Sequence, residues 1–145
     1  MKSFFKFLLV WIVLSGCGQA GDHAHNHQAS EAVSSNENEA LYDEVMKIHD
    51  EGMEKMGEIH RLKKVLKERL AAQNTERKTA LEGVIAKLDS ADKGMMDWMH
   101  NFDPVHDTDD KEAYREFLES ELAKVTKVRQ DIMEALERAN EEIAR

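Results

Sequence analysis

This chain has one cysteine, one proline and seven glycines in 145 residues, and aromatic side chains make up only 6% of it. A lone Cys17 excludes an internal disulfide framework and a multi-thiolate metal centre. With Pro104 the single proline and glycine scarce, few positions force a helix to stop. No glycine-rich phosphate loop and no Gly-x-Ser-x-Gly turn occurs, so the nucleotide-binding and serine-hydrolase signatures are missing. Cations are also short, 20 Lys and Arg against 29 Asp and Glu for a net charge of -9. Such a surface repels nucleic acid and anionic headgroups, and no nucleic-acid partner is expected. The apolar run from Phe7 to Leu14 falls far short of the roughly 20 residues that span a bilayer.

That short run is nevertheless the most specific feature present. Lys2 and Lys6 precede it, and Leu14-Ser15-Gly16-Cys17 closes it. A positive start, a brief apolar segment and small residues before the cut describe an export signal. The cysteine stands where a bacterial lipobox requires its nucleophilic thiol. The expectation is a signal peptide over residues 1–16, followed by diacylglycerol and palmitate attachment at Cys17. Two or more acyl chains give stable anchoring, each buried methylene adding about 0.8 kcal/mol. Gly18, in place of an acidic retention signal, points to the outer rather than the inner membrane of a bacterial envelope. Removal of residues 1–16, which hold two lysines and no acid, takes the formal charge from -9 to -11.

Residues 17–38 contain one large aliphatic side chain, Val33, among Ala, Ser, Asn, Gln, His and Glu. A segment of that composition is expected to be a disordered tether. His23, His25 and His27 alternate along it and read either as a weak, unselective divalent-metal site or as soluble linker.

From Glu39 the apolar residues recur about every 3.6 residues, the period of an amphipathic helix. Leu41, Val45, Ile48, Gly52, Met56, Ile59, Leu66 and Leu70 define a first helix ending near Ala72. Leu81, Val84, Ile85, Leu88, Ala91, Met95, Met99 and Phe102 define a second, capped by Asn74 or Thr75 and stopped at Asp103-Pro104. Tyr114, Phe117, Leu118, Leu122, Val125, Ile132, Leu136 and Ile143 define a third, capped by Asp107 or Thr108. Three long amphipathic helices with short connections pack as an all-α antiparallel three-helix bundle, here residues 39–145. Coiled-coil pairing between copies is the alternative use of such stripes.

Any chemistry lies in the methionines and histidines. Met46, His49, Met53, Met56 and His60 are spaced 3, 4, 3 and 4 residues apart on one seam. Met95, Met96, Met99 and His100 stand near the end of the second helix, and folding back near residue 75 sets Met56 level with Met95 and Met53 with Met99. Thioether and imidazole suit Cu(I) without any thiol, so Met46, His49, Met53, Met56, His60, Met95, Met99 and His100 form a candidate soft-metal set. Methionine is also an ordinary filler of irregular cores, and a Met-rich groove can instead accept apolar partners, with Trp98 either as their anchor or as a lid over the open end of the bundle. Asp92 is expected to pair with Arg129 or a nearby histidine, since a buried unpaired carboxylate is costly. Between His100 and Asp110 the Asp and His spacings match no defined calcium or zinc loop.

An enzyme is not expected. Di-metal carboxylate chemistry in a helical frame needs Glu-x-x-His pairs, and none occurs. The runs His49-Asp50-Glu51-Gly52-Met53-Glu54-Lys55-Met56-Gly57-Glu58-Ile59 and Ala91-Asp92-Lys93-Gly94-Met95-Met96-Asp97-Trp98-Met99 resemble small helical lipoproteins of Bacteroidetes-type bacteria, often labelled viral A-type inclusion proteins. That label describes coiled-coil-like similarity and implies no activity, substrate or site. Relatives of this kind often carry proline where this chain has Glu54, which implies a straighter first helix here. The expected role is that of a membrane-anchored envelope protein that binds an envelope partner or gives structural support. A periplasmic Cu(I)-binding protein is the alternative.

Overall fold

A helix begins where its first unpaired N–H groups find an acceptor, and two side chains supply one here. The Asn74 side chain accepts from Arg77 N at 3.0 Å, and that of Asp110 accepts from Ala113 N at 3.0 Å. In the computed structural model, which describes residues 24–104 and 110–145 and side chains from Ser35 onward, four helices result. These are α1 (Ala24–Met53), α2 (Met56–Leu70), α3 (Thr75–Asn101) and α4 (Lys111–Ala144). No strand occurs among the described residues. α1 and α2 together form the expected first arm, so the molecule is an all-α three-arm bundle.

Ion pairs and hydrogen bonds fix the direction of the arms. At one end Asn38 Nδ2 donates to Lys111 O at 2.9 Å and Glu37 pairs with Arg115 at 3.1 Å. At the other, Arg69 donates to Ile143 O at 2.6 Å and Arg77 pairs with Glu142 at 2.8 Å. The first arm therefore runs alongside α4 in the same sense, and α3 returns between its ends, giving up-down-up order. The core is the sum of the stripes: Val45, Ile59, Leu62 and Leu66 meet Leu81, Leu88 and Met95 from α3 and Leu118, Val125 and Ile132 from α4. Each fully buried aliphatic side chain contributes about 1.5–3 kcal/mol.

Three expectations change. The first arm is interrupted at Glu54–Lys55, although neither residue is proline. Lys55 N reaches Gly52 O at 3.0 Å, a bond one residue shorter than the α-helical repeat, and α2 restarts from Lys55 O. The cause is packing: α1 lies chiefly on α4, whereas α2 packs more on α3. Secondly, the backbone over residues 24–38 is helical and continuous with α1 rather than a free tether. No Gly or Pro interrupts residues 23–51, and the buried Asn38 and the Glu37–Arg115 pair fix the last residues of this segment to the start of α4. Thirdly, Asp110 caps α4, which begins at Lys111; Asp107 and Thr108 lie outside the described residues.

Candidate functional site

Near the end of α1, Gly52 comes close to the side chain of Met95 from α3. A β-carbon at Gly52 would stand 2.4 Å from Met95 Cε and 3.5 Å from Ile132 Cδ1. Met95 is fully buried in that notch. The close approach is thus between Gly52 and Met95, one turn from the expected level of Met56 with Met95. Gly57, Gly83 and Gly94 have nothing within 4 Å of such a carbon.

The methionine and histidine seam spreads from the core to solvent. Met56 and Met95 are buried in the apolar core, and Met53 packs against it. Met46 is half-buried. His49 is largely covered, its Nδ1 lying 2.9 Å from Asp50 Oδ1 and its ring 5.6 Å from that of Trp98. His60 is exposed on another face, with Nε2 3.3 Å from Asp92 Oδ2. Met96, Met99 and His100 are exposed at the end of α3. The eight-residue ligand set is therefore not brought together as one cage: two of its sulfurs are committed to the core and His60 to Asp92. Among the described residues no group of three His, Cys, Asp or Glu side chains could hold a metal ion. Cys17 and His23 lie outside the described residues, and His25 and His27 are described only as backbone within α1.

Trp98 is not a surface anchor. Its residue is 7% exposed, its indole Nε1 donates to Glu121 Oε2 at 2.9 Å, and its ring stacks on Phe102 with centroids 4.7 Å apart. Trp98 points inward because it shares the stripe of Ala91 and Met95 on α3, and Phe102 packs against the core just past the helix end. Phe102 in turn stacks with Tyr42 and Phe117, and Tyr114 with Phe117. Burial, reinforced by Tyr42, raises the Tyr114 phenol above its ordinary pKa.

Two buried carboxylates were not visible as such in the sequence. Glu121 satisfies both oxygens, accepting from Trp98 and from Lys124 Nζ at 2.7 Å. Glu142 pairs with Arg77 and with Arg145, the latter at 3.4 Å. Both stand in phase with the apolar stripe of α4, Glu121 between Leu118 and Val125 and Glu142 after Ala139, which is the signal that marks them. Asp92 pairs with His60 and, at 3.3 Å, with Lys63; Arg129 pairs instead with Glu51. Hydrogen bonding to Asp89 raises the Lys63 pKa, burial opposes the shift, and Asp92 adds to it.

Open clefts line the outside of the bundle. One of about 590 Å³ lies beside the helix interruption, between Glu51, Glu54 and Lys55 and the α4 residues Arg129, Gln130 and Met133. Another of about 400 Å³ lies between α1 and the start of α4, lined by Asn38, Tyr42, Lys111 and Tyr114. Neither contains a residue of the methionine and histidine set. The class defined by these features is an all-α bundle closed by its own apolar stripes and by buried ion pairs. No family model, curated protein or solved structure matches the chain.

Proposed function

We propose that this protein is a lipid-anchored component of a bacterial cell envelope, whose three-arm bundle serves a binding or structural role outside the cytosol. The observation that carries this reading is Leu14-Ser15-Gly16-Cys17 placed directly after the Lys2, Lys6 and Phe7–Leu14 segment. Two features are consistent with it. No helix among the described residues is long and apolar enough to cross a membrane. The α4 arm, 34 residues long, spans about 50 Å at 1.5 Å per residue, a useful length for a spacer. A kinship with small helical envelope lipoproteins, suggested by the His49–Ile59 and Ala91–Met99 segments, fits the same role.

Metabolic labelling with palmitate in a bacterial host tests the reading. The wild-type chain is expected to take up label and to sediment with membranes, shortened by residues 1–16. The Cys17→Ala variant is expected to lose both label and membrane association. An unprocessed and unlabelled wild-type chain in the cytosolic fraction would refute the anchor.

A further inference from the structure

Among the described residues, folding buries the thioethers of Met56 and Met95, half-covers those of Met46 and Met53, and leaves three exposed. Among the described residues, Met96, Met99 and Met133 are the exposed large hydrophobic ones, at 42%, 39% and 49%. Two of them fall within four residues of each other on α3, and His100 follows immediately, exposed in the last turn of the helix. Positions i, i+3 and i+4 lie on one helical face with β-carbons about 5–6 Å apart. Spacing of this kind lets one helix hold one ion, as two histidines four apart do in zinc enzymes.

From this juxtaposition we propose that Met96, Met99 and His100 form a surface site for a soft monovalent cation, Cu(I), at the C-terminal end of α3. Two thioethers and one imidazole form a soft, uncharged donor set. Methionine's three rotatable bonds let both sulfurs turn toward a common point without moving the backbone. The location adds a second element, because the C-terminal end of a helix carries partial negative charge that favours a cation within the last turn. Lys93, one turn before Met96, is the nearest opposing charge along the helix, and it is paired with Asp97. Local repulsion is thereby reduced. Met133 on α4 has no methionine or histidine three or four residues away, and so serves as an internal control. The inference stands apart from lipid anchoring: it differs from a cage spanning two helices in using Met96 and in sparing the core residues Met56 and Met95.

The test uses the full chain purified in detergent, under reducing conditions, with Cu(I) supplied in competition with a chromophoric chelator. One Cu(I) per chain is expected to resist the chelator. The Met96→Leu/Met99→Leu variant is expected to weaken binding by at least the ~10-fold that loss of an outer-shell partner alone commonly costs. His100→Gln is expected to weaken it likewise, and Met133→Leu to leave it unchanged. Equal competition by the wild type and the double variant, or no Cu(I) retained by the wild type, overturns the proposal. X-ray absorption of the loaded wild-type chain decides independently of any variant's folding. A shell of two sulfurs and one nitrogen supports the site, and a shell of nitrogen and oxygen alone refutes it.

Discussion

Replacing Gly52 by alanine tests the close approach of α1 to the Met95 side chain. In an ordinary helix interior the change stabilises by up to about 1 kcal/mol, because alanine loses less backbone entropy. Here the added carbon falls 2.4 Å from the end of Met95. A free methionine would swing aside, but Met95 is fully buried and must displace other core atoms when it moves. Overpacking of this kind costs roughly 1–3 kcal/mol, so the net expectation is destabilisation of about 1 kcal/mol. Gly83→Ala and Gly94→Ala, with open space at the new carbon, are expected to stabilise by up to about 1 kcal/mol each.

The comparison becomes sharper in a double-mutant cycle. Met95→Ala alone creates a cavity and costs about 2–5 kcal/mol. In that background the clash is gone, and Gly52→Ala is expected to stabilise as the other glycine replacements do. The resulting coupling of about 2 kcal/mol falls within the range of residues in contact. Urea denaturation followed by circular dichroism reads all four corners of the cycle. If Gly52→Ala raises the midpoint of the otherwise wild-type chain as much as Gly83→Ala does, Met95 does not fill the space beside Gly52.

Three further outcomes are expected. Glu121→Ala leaves the Trp98 N–H buried without its acceptor, at a cost of about 1–3 kcal/mol, whereas Glu121→Gln, which keeps an oxygen there, loses less; equal losses in urea titration would count against the Trp98–Glu121 bond. Asn74→Ala removes the cap of α3 and should lower stability by about 0.5–2 kcal/mol, with Asn74→Asp close to wild type by thermal denaturation. Lys63 and Tyr114 both hold their protons more tightly in the folded chain, so their stabilising effect is complete below the ordinary pKa values and is lost as pH rises through the higher folded ones. Stability should therefore fall on the alkaline side of about pH 10, and less steeply in Lys63→Met; a wild-type urea midpoint that stays flat from about pH 9 to pH 11 would refute the sign.

Much of the fold was legible because helical periodicity is a strong signal over long segments. The stripes through Leu81, Ile85 and Leu88 and through Leu118, Val125 and Ile132 are buried as the sequence places them, and the connection near residue 74 and the stop before Pro104 lie where the sequence sets them. Charged residues in phase with a stripe were harder to read. Glu121 and Glu142 look like solvated flank until their partners, Trp98 and Arg77, arrive from another helix. The soft-ligand set suffered from the same limit. Spacing along one helix shows which face Met56 and Met95 share with their neighbours, but only packing decides that they belong to the core while Met96 and Met99 remain outside it.

The interruption at Glu54–Lys55 shows where local rules give way to tertiary demand. Nothing in those two residues prevents an unbroken helix, and Lys55 itself keeps a right-handed helical conformation, with φ -87° and ψ -13°. What differs is the company on either side. α1 must follow α4 closely enough for Asn38 to reach Lys111 and Glu51 to reach Arg129, while α2 must turn toward α3 so that Lys63 meets Asp89 and Asp92. A straight rod satisfies one set or the other. One tightened turn, placed just after Gly52 has admitted Met95, lets the same arm serve both neighbours.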